Sequence, residues 1–184
     1  MLRYKTSFLL LAVALLLGAC SASDADTIVV GDVGPGGGIV FITPDTKGNT
    51  TGRYFEAAPS ADETKAKWCS AKETFCIGIA GTAIGTGESN TTTADATCTS
   101  GAIQVASDYT NNGLSDWFLP SKDELNEMYV SRNSLGGFSN GLYWSSSENV
   151  ATFGMWHQDF SNGNQYFSNY PTLTYYVRPV RAFS

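Results

Sequence analysis

Apolar and polar positions along this chain read from strands, through two helices, and back to strands. An unbroken apolar run covers residues 8–17. A first β-type run spans 27–30, and a second, 39–43, follows Gly31-Asp32-Val33-Gly34-Pro35-Gly36-Gly37-Gly38. Two such runs around a glycine-rich turn predict a hairpin. Residues 53–58 read as another strand, 60–67 as a polar stretch, and 78–90, rich in Gly, Ala and Thr, as a long ordered loop. A helix is expected over 100–109, where Ile103, Val105 and Ala106 supply the apolar positions. Trp117-Phe118-Leu119-Pro120 is an extended apolar run stopped by proline. Ser121 and Glu124 then stand at capping-box spacing, and Leu125, Met128 and Tyr129 share one face, which predicts a helix over Lys122–Val130. Beyond Gly136-Gly137 the pattern is β throughout: strands at 141–146 and 155–160, a tight turn at Ser161-Asn162-Gly163-Asn164, a return from 165, and a last strand over 175–182. With β-structure at both ends, the termini are expected to pair in one sheet of an α+β fold.

The apolar run at 8–17 is too short to span a bilayer and follows Arg3 and Lys5, as a signal peptide does. It ends in Leu17-Gly18-Ala19-Cys20, similar to a bacterial lipobox. The expected organisation is a leader at 1–19, a lipidated tether at 20–27 starting on acylated Cys20, and one domain over 28–184. Several acyl chains on one residue give lasting membrane attachment. Ser21 is not the aspartate that retains such proteins at an inner membrane, so the expected location is the cell surface, on an outer membrane where there is one. An ordinary signal peptide cut at a small residue is the alternative.

Charge narrows the partners. A formal net charge of −6 and a pI near 4.6 argue against nucleic acid, which needs a basic face. The glycine-rich stretch at 31–38 lacks the following helix and the Lys-Ser/Thr pair of a phosphate-binding loop, so it reads as a turn. With Cys20 lipidated, Cys69, Cys76 and Cys98 remain, which suggests one disulfide and one free thiol without saying which pair. Three cysteines and a distant histidine do not have zinc spacing, and no metal or cofactor is expected. Asp123, Glu124 and Glu127 read as a solvated helix face that suits the helix dipole.

Five ordered blocks carry a resemblance. They are 30–41 (VGDVGPGGGIVF), 84–87 (IGTG), 115–125 (SDWFLPSKDEL), 143–148 (YWSSSE) and 177–183 (VRPVRAF). Together they resemble the Lcl C-terminal domain family, over nearly all of residues 28–184. The resemblance implies a C-type lectin-like fold with mixed and antiparallel sheets, about two short helices and long loops. It also implies display outside the cell, and a Cys69–Cys98 pairing. Relatives of that fold include formylglycine-generating enzymes and the variable proteins of diversity-generating retroelements. The family takes its name from a collagen-like adhesin that binds glycosaminoglycans. This chain has no Gly-X-Y repeat, and it lacks the Glu-Pro-Asn and Trp-Asn-Asp motifs of calcium-dependent sugar binding. Its cysteines lie too early for the catalytic pair of the enzymes, so no enzymatic activity is expected.

The candidate ligand site is the stretch between the last two blocks. Asn149, Phe153, Met155, His157, Gln165, Phe167, Asn169, Tyr170, Thr172 and Leu173 mix aromatic with amide and hydroxyl side chains, the composition of antibody binding loops. The expected partner is a protein or glycan outside the cell, and the alternative is a structural cell-envelope lipoprotein without a specific ligand. The position also resembles the C-terminal variable region of retroelement-diversified proteins. Trp117, Trp144, Trp156 and Phe160 are expected to pack in the core, His157 to be exposed but not catalytic, and one of Arg178 and Arg181, three apart on a strand, to close the domain against a buried acid.

Overall fold

The computed structural model describes residues 27–69, 78–170 and 172–184. Cys20, the leader and tether up to residue 26, and Cys76 lie outside them. The chain order is β1 (Ile39–Ile42), β2 (Tyr54–Ala57), β3 (Thr64–Lys67), α1 (Gly87–Asp95), α2 (Ala102–Ser107), α3 (Lys122–Val130), α4 (Arg132–Leu135), β4 (Leu142–Asn149), β5 (Gly154–Asp159), β6 (Gln165–Ser168), β7 (Thr174–Val177) and β8 (Val180–Phe183). These strands make two sheets, β1-β2-β8 and β3-β7-β4-β5-β6, with the short helices beside them, so the fold is α+β as expected and consistent with a C-type lectin-like arrangement.

The first and last strands share one sheet: β1 pairs with β2, and β2 pairs with β8 through Tyr54 opposite Phe183 to Ala57 opposite Val180. The expected single strand over 175–182 is two strands in two different sheets. Pro179 has no N–H to continue a ladder, and the chain changes sheets there. Arg178 fills that corner and donates from Nε to Ala58 O at 2.7 Å and from an Nη to Gly136 O at 2.9 Å, its plane 4.3 Å from the Phe138 ring. Arg178 and Arg181 are therefore not on one strand.

Three further expectations give way. Residues 27–30 are not a strand; the Asp32 carboxylate accepts from Val29 N at 2.8 Å and bends the chain, although the hairpin survives as a Val33–Ile39 bridge. The expected polar stretch at 60–67 contains a turn of 3-10 helix, Ser60–Asp62, and then β3. Within the expected loop at 78–90, α1 starts at Gly87. Its Gly, Ser and Thr residues have weak helix propensity, and tertiary bonds hold it instead. Asn90 Nδ2 donates to Gly81 O at 2.7 Å, and Thr91 Oγ1 accepts from Leu119 N at 3.0 Å.

The core has two parts. One gathers Phe41, Phe55, Phe118, Leu125, Met128, Tyr143 and Phe160; the other gathers Trp68, Ile103, Leu119, Trp144, Met155 and Val177 around a Cys69–Cys98 disulfide, the pair that the resemblance implied.

Candidate functional site

The outer strands of the five-stranded sheet, β5 and β6, build on β4. Its Trp144 is buried, and the three serines that follow act as cross-ties. Ser145 Oγ donates to Trp156 O at 2.9 Å, Ser146 Oγ to Pro120 O at 3.2 Å, and Ser147 Oγ to Gly81 O at 2.7 Å. The Glu148 carboxylate accepts from Gly78 N and Ile79 N. These side chains tie β4 to β5 and to the loops that carry Ile79, Gly81 and Pro120.

Helix α3 clamps the same end from the side. Ser121 and Glu124 form the expected capping box, but Glu124 is not on a solvated face: it is fully buried. Its carboxylate accepts from Ser121 N at 2.7 Å and Gly85 N at 2.7 Å, and from Gly87 N at 3.3 Å. Burial pushes this carboxyl up to about 7, against the pull of those backbone donors. Further along, Gln158 donates to Asn126 Oδ1 and Gly163 O, both at 3.0 Å, and Gln165 donates to Lys122 O at 2.8 Å. Strands β5 and β6 are thereby fixed to α3 through side-chain amides.

On this support stands an exposed aromatic face that wraps the sheet edge, with Tyr166 and Phe167 on opposite sides of β6. Phe153 is 50% exposed, Tyr166 45%, Phe167 43% and Tyr170 69%, with Val150 and Leu173 also exposed. Asn149 and Gln165 are half-buried at the margin, while Asn169 and Thr172 are exposed. Two of the expected ligand residues face inward. Met155 is fully buried in the disulfide-side core, and the expectation of an exposed His157 is corrected: its ring is 6% exposed among Trp144, Tyr175 and Tyr166. Strand alternation is the reason, because 155 and 157 share the face that carries Trp144. Burial lowers the His157 pKa and favours the neutral ring. Trp156, expected in the core, is half-buried; it meets Phe167 edge-on with ring centres 5.5 Å apart and has Lys122 Nζ 5.1 Å from its ring centre. Trp117, Trp144 and Phe160 are core residues as expected.

Phe153 carries backbone strain. Its φ of 56° lies in the left-handed region, which costs a bulky residue about 1 kcal/mol or more. Three cavities of about 220, 350 and 400 Å³ lie elsewhere, and Phe160 alone among residues 149–173 lines any of them. Among the described residues no group of three or more His, Cys, Asp or Glu could hold a metal ion.

The opening glycine stretch has a different role from this face. Glu56, fully buried, accepts from Gly36 N and Gly38 N at 2.9 Å each and pairs with Arg181 Nη1 at 3.1 Å; Arg181 also pairs with Asp116. The loop is an anion cradle that the protein fills with its own carboxylate. A Cβ at Gly36 would lie 2.6 Å from the Trp117 ring and 2.7 Å from Glu56 Oε1, so this position needs glycine. Arg181 is the arginine that closes the domain on a buried acid, as expected.

A family model for the Lcl C-terminal domain matches residues 60–181. The chain belongs to the Lcl C-terminal domain family. The match takes in α1, α3, the serine cross-ties, the aromatic face and Arg178, and it stops at Arg181. No curated protein matches the chain. In this Lcl C-terminal domain the recurring-looking blocks at 84–87, 115–125, 143–148 and 177–183 are scaffold, and the residues between the last two hold the exposed face. Sequence reasoning missed the cross-tying serines and buried Glu124. Their signal was a run of three serines directly after the apolar Leu142-Tyr143-Trp144 and an acid at a helix N3.

Proposed function

We propose that the protein is a surface-displayed, lipid-anchored binding module that recognises a protein or glycan outside the cell and is not an enzyme. The observation that carries this reading is the aromatic face itself. Phe153, Tyr166, Phe167, Tyr170 and Leu173 expose apolar surface within one short stretch, on β6 and the turns that flank β5 and β6, strands whose Gln158 and Gln165 are tied down. Large apolar side chains left exposed together at one end of a domain mark an interaction site. Rigid aromatic side chains offer contact area at little entropic cost, and neighbouring Asn169 and Thr172 offer adaptable hydrogen bonds. The lipobox-like Leu17-Gly18-Ala19-Cys20 supports anchoring at Cys20, with the domain outside the cell on an outer membrane where there is one.

The test is an array of glycans and extracellular proteins probed with the full chain in detergent, beside a variant with Phe153, Tyr166, Phe167 and Tyr170 changed to Ala. Binding by the parent that the variant loses, with unchanged circular dichroism, supports the reading. Equal binding by the two would move the site to another face. Diversification of the same stretch is a separate genomic matter: it requires a near-repeat of the coding region differing at adenines, beside a reverse transcriptase gene.

A further inference from the structure

The two edges of the five-stranded sheet differ. One edge is β3, Thr64-Lys65-Ala66-Lys67, which carries two exposed lysines. Charged side chains, lysine above all, are how natural sheets stop another chain from pairing with an edge. The other edge is β6, Gln165-Tyr166-Phe167-Ser168, which carries no charge and no proline and runs in unbroken register with β5 from Gln165 opposite Gln158 to Ser168 opposite Met155. The edges of the smaller sheet are both occupied: Val40 bonds to Gly31 and Asp32, and Val180 exchanges two bonds with Phe118.

The backbone of β6 has a defined outward side. Asp159 N donates to Asn164 O, and Phe160 N donates to Gly141 O on the opposite flank. In an antiparallel ladder the paired positions alternate, so Tyr166 and Ser168 bond toward β5 while the N–H and C=O of Gln165 and Phe167 point away from the sheet. Among the described residues no strand pairs with that outer side. Tyr166 and Phe167, half-exposed on opposite faces, flank it above and below.

We propose that β6 is a strand-addition site: an extended, uncharged segment of a partner protein pairs with the backbone of Gln165 and Phe167, with its alternate side chains against Tyr166 on one face and Phe167 on the other. This rests on the binding reading above and narrows the ligand from protein or glycan to an extended polypeptide. Main-chain bonds supply the attachment in such complexes, and side chains on the two faces supply selectivity. The missing charge on β6 fits an uncharged segment, since a charged one would have no counter-ion along the strand.

The experiment uses the full chain in detergent and a displayed library of random twelve-residue peptides, with a glycan array in parallel. Two variants separate backbone from side chain. Phe167→Ala removes the ring and keeps the outward N–H. Phe167→Pro removes both and leaves the β5 ladder intact, because that N–H does not serve it. Peptides enriched on the parent are expected to bind Phe167→Pro at least tenfold more weakly than Phe167→Ala, with both variants retaining the parent circular dichroism. Amide exchange at Phe167 is expected to slow when the peptide is bound. Equal affinity for the two variants, no slowing at Phe167, or failure to enrich any peptide overturns the proposal. Should Phe167→Pro unfold, exchange at Phe167 in the parent decides alone. Glycan binding lost on substitution of the aromatic face, without peptide binding, overturns strand addition and leaves the binding reading standing. A dimer of the parent that Phe167→Pro converts to monomer also overturns it, since the edge would then serve a second copy.

Discussion

The three-stranded sheet and the outer end of the five-stranded sheet use unusual residues in opposite ways. In the first, a buried carboxylate, an arginine and a glycine loop satisfy one another: Glu56 meets Gly36, Gly38 and Arg181. In the second, the polar groups that could be satisfied are satisfied inward, by Gln158, Gln165 and the β4 serines. What remains outward is aromatic surface and one bare strand edge. The comparison teaches that a glycine-rich motif and a buried acid, which look like chemistry in a sequence, here close the domain, while bland alternation of aromatic and amide residues makes the exposed face.

The comparison can be broken most sharply at Glu56. Glu56→Ala leaves a buried arginine with only the half-exposed Asp116 and orphans two loop N–H groups, and is expected to cost about 3–5 kcal/mol by denaturant unfolding. A loss under about 1 kcal/mol would mean that the glycine loop is not held from within. Next, replacing Cys69 and Cys98 with Ala opens a link across a sequence separation of 29, and should cost about 3–4 kcal/mol.

Glu124 tests the clamp on the aromatic face. Its folded pKa, about 7, lies above the ordinary 4.5, so its stabilising contribution is complete below about 4.5 and is lost as pH rises through about 7. The difference between unfolding curves of the parent and Glu124→Gln should therefore grow at low pH and shrink toward neutral pH. A pH-independent difference would sink this assignment. Smaller still, Phe153→Gly relieves a left-handed φ and is expected to stabilise the fold by about 1 kcal/mol while weakening ligand binding, a trade that strain at a functional position predicts. Smallest in stability is Tyr170→Ala, at 69% exposure: a change within about 0.5 kcal/mol in the melting analysis, against a clear loss in the binding array.

Much of the architecture was legible in the residues. The Ser121–Glu124 capping box and the face of Leu125 and Met128 set α3 to the residue, because these are local signals within two helical turns. The turn at 161–164 and the strands around it follow from period-two alternation and turn chemistry. The stretch holding the aromatic face was marked by composition alone, yet Met155 and His157 were assigned outward when they point in. Alternation says that neighbours face opposite ways; only the packing of β5 on β4 says which way is in.

By itself, then, the sequence determined what local rules determine: the acidic charge balance, α3, the hairpin at 155–168, and the ordered blocks within residues 60–181 that belong to the Lcl C-terminal domain. Tertiary structure alone decided the rest. It broke the last strand at Pro179 and sent its two halves into different sheets, and it turned Glu124 from a surface acid into a buried one. It also built α1 from poor helix formers and left β6 as the unguarded edge. The physical reason is the same in each case. A residue's own preferences span only a few turns of chain, whereas burial, orphaned backbone groups and strand order depend on which distant segments come to lie against it.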